Sequence, residues 1–477
     1  MIDDFDSLWA KTLPAFNQER TWIRARRLAL SSLLCLGRHT ITQMITTAGR
    51  QFNDWAADYR LFEKERFDPD KFFSVARQEV ENRNGTDAPL VVSMDDSMIK
   101  KRGGEIYGAG WRRDPMGPPF HVNFIWGQRF LQISALLSHG DPPCGARAIP
   151  IDFTNCPKPK KPKHTASENT WRDYRAALKA SNISLHGLED LKKLRIAMDQ
   201  EDGQSHRQLI AAVDGTFTNK KVIRGLPDRT VLIGRFRKDA KIFSPPEQAQ
   251  YSGKGRRLTY GEELPTPEEI RQDSTIPWRT VRAYASGKVH EFQIKTISHI
   301  RWRSTGDKDL RLVIIKPLAY RLNKSHRILY RDPAYLICTD PDMPLDRLLQ
   351  IYIWRWEIEV NFRDEKTILG VGEAQVRKEL PVSLVPQLQV ATYAFLLLTI
   401  EKDEKNWEEI LPQPLWRKSN PPNRLSTQKA INLYRYDLWS KSLEENNFSH
   451  FVHDMNCDTK WEKFPIPQLN PFFYVSK

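Results

Sequence analysis

Cysteine is scarce in this chain. Five residues, Cys35, Cys144, Cys156, Cys338 and Cys457, are scattered, and no two form a C-x-x-C pair. That spacing offers neither a structural zinc site nor a disulfide framework, and it points to a reducing, intracellular compartment. There is no Walker A loop, no H-E-x-x-H and no G-x-S-x-G, although 11 histidines are available. Readings as a P-loop nucleotide enzyme, a zinc peptidase or a nucleophile-elbow hydrolase therefore lack support. The N-terminus, MIDDFDSLW, is acidic and has no signal-peptide core. The longest apolar run, near Leu388 to Ile400, is short for a bilayer and is expected to be a buried helix with no membrane role. No internal repeat is visible. What is plentiful is positive charge: Lys and Arg number 73 against 59 Asp and Glu, a net +14, with a pI near 9.4. Such a balance favours a polyanionic partner, nucleic acid first. With 477 residues the chain can build two or three domains with real cores.

Patterning divides the chain. The first segment, to about Arg83, reads as helical, with helices over Trp22–Leu36, Thr40–Ala48 and Gln51–Glu65, and with Thr40 as an N-cap. Helix, Gly37 turn, short Thr-rich helix is compatible with a helix-turn-helix and equally with an ordinary small bundle. Strand-like runs follow at Leu90–Met94, Val122–Trp126 and Phe130–Leu137, the last two separated by Gly127. Pro142 to Lys163, ending in CPKPKKPK, reads as a basic loop or linker. Helical spacing returns at Asn169–Ser181 and Leu188–Met198, and strands are expected at Leu209–Val213 and Arg229–Phe236. A β-rich stretch spans roughly Phe243 to Asp340, with runs at Thr280–Ala285, His290–Thr296, Leu310–Ile315 and Ala334–Cys338. Leu384–Ile400 is a core helix, Pro412–Asn423 a Pro-rich linker, and one more helix runs from Ser426 to about Glu445 before an irregular, aromatic-rich end.

The stretch Tyr352 to Lys366, YIWRWEIEVNFRDEK, contains no Pro or Gly, and its spacing predicts one continuous helix. Tyr352, Arg355, Glu359, Arg363 and Lys366 would share a face. Ile351, Trp354, Ile358, Phe362 and Leu369 would form a buried stripe beside it. Alone, such a face is explained by a solvated ladder of ion pairs. Two other sites change the balance. LVVSM ends in Asp95-Asp96-Ser97, and LIAAV ends in Asp214-Gly215-Thr216, so two apolar strands are each expected to deliver aspartate at their ends.

Tyr352, Arg355, Glu359 and Lys366, at intervals of three, four and seven, match without a gap the YREK signature. The chain thereby resembles bacterial insertion-sequence transposases of the DDE class. Trp356, directly after the arginine, resembles the cut-and-paste members. The resemblance implies an α/β fold: an RNase H-like catalytic core interrupted by a β-rich insertion, with helical N- and C-terminal regions. The expected divisions are 1–85, a helical DNA-binding domain; 86–242 and 341–402, the two parts of the core; 243–340, the insertion; and 403–477, the C-terminal region. It further implies that Asp95, Asp214 and Glu359 are both catalytic residues and metal ligands, holding two Mg2+ ions, with Mn2+ as a substitute. Asp95 is preferred over Asp96 because Asp95 and Ser97 fit an Asp-x-Ser/Thr pattern. Tyr352, Arg355, Trp356, Arg363 and Lys366 would contact DNA, and Trp278 or Trp302 of the insertion would complete a pocket for an expelled base. Arg235 and Arg237 are further candidates to face DNA. Expected partners are double-stranded DNA, as the element's terminal inverted repeats and as target, and a second subunit in a homodimeric synaptic complex. The implied setting is the bacterial cytoplasm, associated with the nucleoid. A regulator derived from a transposase, binding DNA without cutting it, is the alternative; intact acids argue against it.

Overall fold

The computed structural model describes residues 1–85, 87–114, 117, 123–201, 205–246, 258–320, 327–402 and 424–445. The start of the run at Val122, the Pro412–Asn423 linker and the aromatic-rich end lie outside these residues.

Five helices come first: α1 (Ile2–Ala10), α2 (Glu19–Leu34), α3 (Ile41–Thr47), α4 (Ala56–Glu63) and α5 (Pro69–Asn84). Thr40 does cap α3, its hydroxyl accepting from Gln43 N at 3.1 Å. Then come β1 (Leu90–Lys100), β2 (Gly110–Arg113), β3 (Phe124–Ser138) and β4 (Ala146–Asn155). Next are α6 (Glu168–Ala180), α7 (Ile183–Gln200), β5 (Leu209–Val213), α8 (Lys220–Gly225) and β6 (Thr230–Arg235). The middle of the chain gives β7 (Ile242–Phe243), β8 (Glu263–Leu264), α9 (Pro267–Gln272), β9 (Arg279–Ala285), β10 (Lys288–Trp302), β11 (Leu310–Ile315), β12 (Ala319–Tyr320), β13 (Leu329–Tyr330) and β14 (Ala334–Cys338). Among the described residues four helices follow: α10 (Leu345–Trp354), α11 (Glu357–Thr367), α12 (Glu379–Lys402) and α13 (Thr427–Glu445).

The fold is mixed α/β. Among the described residues twelve strands form one mixed sheet, in the order β2-β3-β1-β5-β6-β14-β11-β10-β7-β8. β4 pairs with β3 and β9 with β10 off that path. β1, β3 and β4 are antiparallel neighbours, while β5 and β6 run parallel to β1. Most strands of the 243–340 stretch join the main sheet, since β14 pairs directly with β6 and carries β11, β10, β9, β7 and β8 outward, while β12 and β13 pair only with each other as a two-stranded sheet.

Several expectations change. β1 does not stop at Met94 but continues to Lys100, because β3 supplies partners down to the pair Lys100 and Gly127. Asp95 and Asp96 are therefore inside a strand, not at its end. Gly127 does not interrupt β3. A Cβ there would lie 2.4 Å from Ile99 O, so glycine is what lets the two backbones close. Part of the expected basic loop is strand β4, which runs through Pro150 at an irregularity of the β3 ladder. Helix α12 is longer than the run that suggested it. Its segment Glu379–Glu401 is apolar enough to cross a membrane by length and composition, yet 89% of the tested window is buried within the protein. It is a core helix.

Strand alternation sorts the sheet faces. Val91, Ile210, Ala212, Val231 and Ile233 pack with Leu348, Leu349 and Ile351 of α10. Val92, Met94, Leu209, Ala211 and Val213 belong to the other core, with Leu188 and Leu191 of α7 and Val222 of α8. That second core continues into the N-terminal helices, α12 and α13. Trp9 and Phe72 meet edge-on at 5.3 Å, Phe72 stacks on Phe395 at 6.3 Å, and Phe5 meets Tyr434 at 5.6 Å. Such ring pairs contribute about 0.5–1.5 kcal/mol each beyond area burial. By the same alternation Asp95 projects with Val91 toward α10 and α11, and Asp96 projects to the opposite side.

Candidate active site

The expected continuous helix from Tyr352 to Lys366 is two helices. Around the junction the backbone bonds tighten to i→i+3: Trp356 N to Ile353 O at 3.2 Å, Ile358 N to Arg355 O at 3.3 Å and Glu359 N to Trp356 O at 3.1 Å. Arg355 and Trp356 keep right-handed helical dihedrals, so the chain turns without Pro or Gly. Ile351, Trp354, Ile358, Phe362 and Leu369 are all buried, as the stripe predicts.

That junction aims Arg355 into the sheet. Its guanidinium donates to Asp95 Oδ2 at 3.3 Å, a residue 260 positions away in sequence, and to Glu359 Oε1 at 3.3 Å. Asp95 lies on β1, where Met94 pairs with Val213 of β5, so Asp214 follows beside it. Burial pushes the Asp95 carboxyl up to about 7, and the Asp214 charge adds to the rise. The Asp96 N–H, donating to Asp95 Oδ1 at 2.8 Å, and the Arg355 charge oppose it. Asp214 is fixed by its own turn, accepting from Thr216 N at 2.8 Å and Thr216 Oγ1 at 3.0 Å. Arg355 thus joins Asp95 to Glu359, and Asp214 stands near enough to Asp95 for its charge to act on it.

Asp96 is engaged elsewhere. Arg129 holds it with two bonds, Nε to Oδ2 at 2.5 Å and Nη2 to Oδ1 at 2.6 Å. Tyr352 places its ring 5.9 Å from the Arg355 guanidinium. Trp356 is 60% exposed at the junction. Arg363 is exposed and donates to its neighbour Asp364 at 2.9 Å. Burial lowers the Lys366 pKa, while Glu365 and Asp96 oppose that shift. Trp302 meets Phe236 edge-on at 5.2 Å; Phe236 follows Arg235, whose Cβ is 3.9 Å from where a Gly215 Cβ would stand. Trp302 is therefore linked to the Asp214 turn. Trp278 lies under Lys295 and Lys316, whose ammonium groups are 4.7 and 5.7 Å from its ring. Arg237 is paired with Asp239 at 2.7 Å.

A buried polar layer beneath the acids escaped the sequence reading. Gln132 is the β3 residue opposite Asp95. Gln132 Nε2 donates to Ser134 Oγ at 3.1 Å, and Asn361 Nδ2 of α11 donates to Ala148 O at 3.0 Å. Glu365, 2% exposed, faces Gln132, and burial pushes its carboxyl up to about 8. Gln132 Oε1 and Glu365 Oε1 both lack a donor. Two buried oxygens without donors disfavour a charged carboxylate here and favour the protonated acid. The signal was present in the helix pattern: Asn361 and Glu365 stand three and seven residues after buried Ile358, on its stripe.

Three carboxylates are hard oxygen donors, which suits Mg2+ or Mn2+. Burial is the main cause of the raised Asp95 pKa and the Asp214 charge the second; a cation beside both would oppose the shift. In this geometry Arg355 supplies that charge, and among the described residues no group of three or more His, Cys, Asp or Glu is placed to hold an ion. The donor chemistry fits a divalent ion, with Arg355 now bound to two of the donors. No family model matches the chain, and no curated protein matches it.

Proposed function

We propose that the protein is a DDE-class DNA transposase that cleaves the ends of its own element and joins the 3′-OH ends to target DNA. The observation that carries this reading is the Arg355 bridge between Asp95 and Glu359, with Asp214 acting on Asp95. Residues from three distant parts of the chain are thereby coupled through Asp95. The strand order β4-β3-β1-β5-β6, antiparallel then parallel, supports an RNase H-like core.

Asp95, Asp214 and Glu359 would hold two Mg2+ ions, which when bound supply charge stabilisation at the attacking and leaving oxygens of a phosphodiester. The residues around them do the rest. Arg355, with a planar fork of donors, can trade its carboxylates for a phosphate. Arg363 and Lys366 extend positive charge along α11 to adjoining phosphates. Trp356, exposed beside the acids, offers a ring to a base turned out of the duplex. Trp278 or Trp302 of the insertion would join it. Cleavage at both ends calls for a second subunit.

A second reading, a transposase-derived regulator that binds DNA without cutting, draws on the same bridge, since Arg355 occupies two of the three donors. An excision assay in cells separates them. A marker gene interrupted by the element, with its flanking DNA, should be restored by the wild-type protein and not by Glu359→Gln. Equal restoration by that variant would remove Glu359 from the chemistry.

A further inference from the structure

Beyond the acids, the β2–β3 ribbon carries an exposed aromatic face that the reaction does not use. Trp111 is 58% and Phe124 60% exposed, large values for such side chains. Trp111 stands opposite Trp126, and Arg113 opposite Phe124. Residues opposite one another on antiparallel strands share a face. Trp111, Arg113, Phe124 and Trp126 are therefore one surface. Trp111 and Trp126 meet edge-on at 5.7 Å, which leaves ring faces free. Trp126 Nε1 is satisfied by Gly103 O at 3.0 Å, so Trp126 is held in place.

Register places this surface relative to the acids. Asp95 pairs with Gln132, Ser97 with Phe130 and Ile99 with Gln128, without a bulge, and Lys101 N then donates to Trp126 O at 2.9 Å. Even-numbered β3 residues thus share the face of Asp95. Six residues of strand separate Asp95 from Lys101, about 20 Å at ~3.3 Å each. That is the length of about six nucleotides at ~3.4 Å per step. Cations belong to the same ribbon and its neighbours: exposed Arg113 stands opposite Phe124, and Lys158 Nζ donates to Trp111 O at 2.6 Å.

Aromatic faces interleaved with cations suit unpaired bases on a charged backbone. Phe124 and Trp126, two residues apart on one strand, are separated by about 6.8 Å along it, room for one base between two rings at ~3.4 Å per layer. We infer that the β2–β3 ribbon is a stacking platform for an unpaired strand of DNA, about six nucleotides from the acids. The position along the cleaved strand rests on the transposase reading; the stacking itself does not.

The test measures anisotropy of a fluorescein-labelled oligothymidylate and of an arbitrary-sequence duplex of equal length. Wild type is compared with the double variant Trp111→Ala, Phe124→Ala, and with Arg113→Glu. The double variant should bind oligothymidylate about tenfold more weakly, as loss of a stacking contact gives, with duplex affinity nearly unchanged. Arg113→Glu should weaken oligothymidylate binding too and flatten its salt dependence. Thermal unfolding midpoints equal to wild type show that the variants fold. Unchanged oligothymidylate affinity in both variants, with duplex still bound, refutes the platform and leaves the transposase reading standing. An equal loss on both DNAs refutes it as a single-strand site. Loss on oligothymidylate alone, from a protein that fails the excision assay, supports the platform and removes the transposase reading. Binding of neither DNA by wild type removes both.

Discussion

Replacing Glu365 with Gln should make the protein more stable at pH 8 while changing little at pH 5. Glu365 is buried under the acids, beside a Gln132 oxygen that has no donor. Burial is the main cause of its raised pKa, about 8 against an ordinary 4.5; Gln132 and Lys366 act against the rise and Asp364 with it. Between those values the folded protein keeps a proton that the unfolded chain has released. Stability due to this group is complete below about pH 4.5 and is lost as pH rises toward 8. At ~1.36 kcal/mol per pH unit the loss between pH 5 and pH 8 is roughly 3–4 kcal/mol. A Gln amide carries no charge to bury, so it removes the penalty at any pH. If the chain unfolds as one unit, ~2.1 cal/mol/K per residue converts this to about 4 °C. Calorimetry of wild type and variant across pH 5–8 is the assay. The two midpoint curves should diverge as pH rises, the variant above. Parallel curves would refute a protonated Glu365. Glu365→Ala should lower stability by about 2–4 kcal/mol at pH 5, through a cavity, with the deficit shrinking toward pH 8 as wild type loses the stability of its protonated carboxyl.

The two aspartates of β1 should fail in different ways. Asp95→Asn should abolish DNA cleavage with little change in stability. Asp96→Asn should retain cleavage and lose about 2 kcal/mol to denaturant, because Arg129 loses a charged bidentate partner. Equal loss of cleavage would show that both act at the site. Gly127→Ala should cost about 2–3 kcal/mol, since its Cβ must push Ile99 O out of the β1–β3 ladder; an unchanged denaturant midpoint would contradict the close approach.

Legibility followed local physics. Leu209–Val213, Leu310–Ile315 and Ala334–Cys338 are strands residue for residue, because short apolar runs between breakers have few other uses. The extension of β1 through Asp95 to Lys100 was hidden, since its polar residues gain strand geometry only from pairing with β3. β4 was masked by neighbouring proline and lysine, although its own AIPIDF is apolar and half alternating. The junction at Arg355 and Trp356 could not be read, as neither residue breaks helices; tertiary contact of Arg355 with Asp95 accompanies the bend. The spacing of Tyr352, Arg355, Glu359 and Lys366 did point to Arg355 and Glu359, and the structure sets both beside Asp95. The pairing of Asp96 with Arg129, and the Gln132–Glu365 layer, depend on strand register, which composition does not reveal.

The most direct test is cleavage by the purified protein. Supercoiled DNA carrying the element's two ends would be incubated with Mg2+ or with EDTA, beside Glu359→Gln. Breaks at the end boundaries with Mg2+, absent with EDTA and absent in the variant, are the predicted result. DNA bound but intact in both metal and chelator would contradict a catalytic centre at Asp95, Asp214 and Glu359, and would leave Arg355 as the permanent partner of two of those acids.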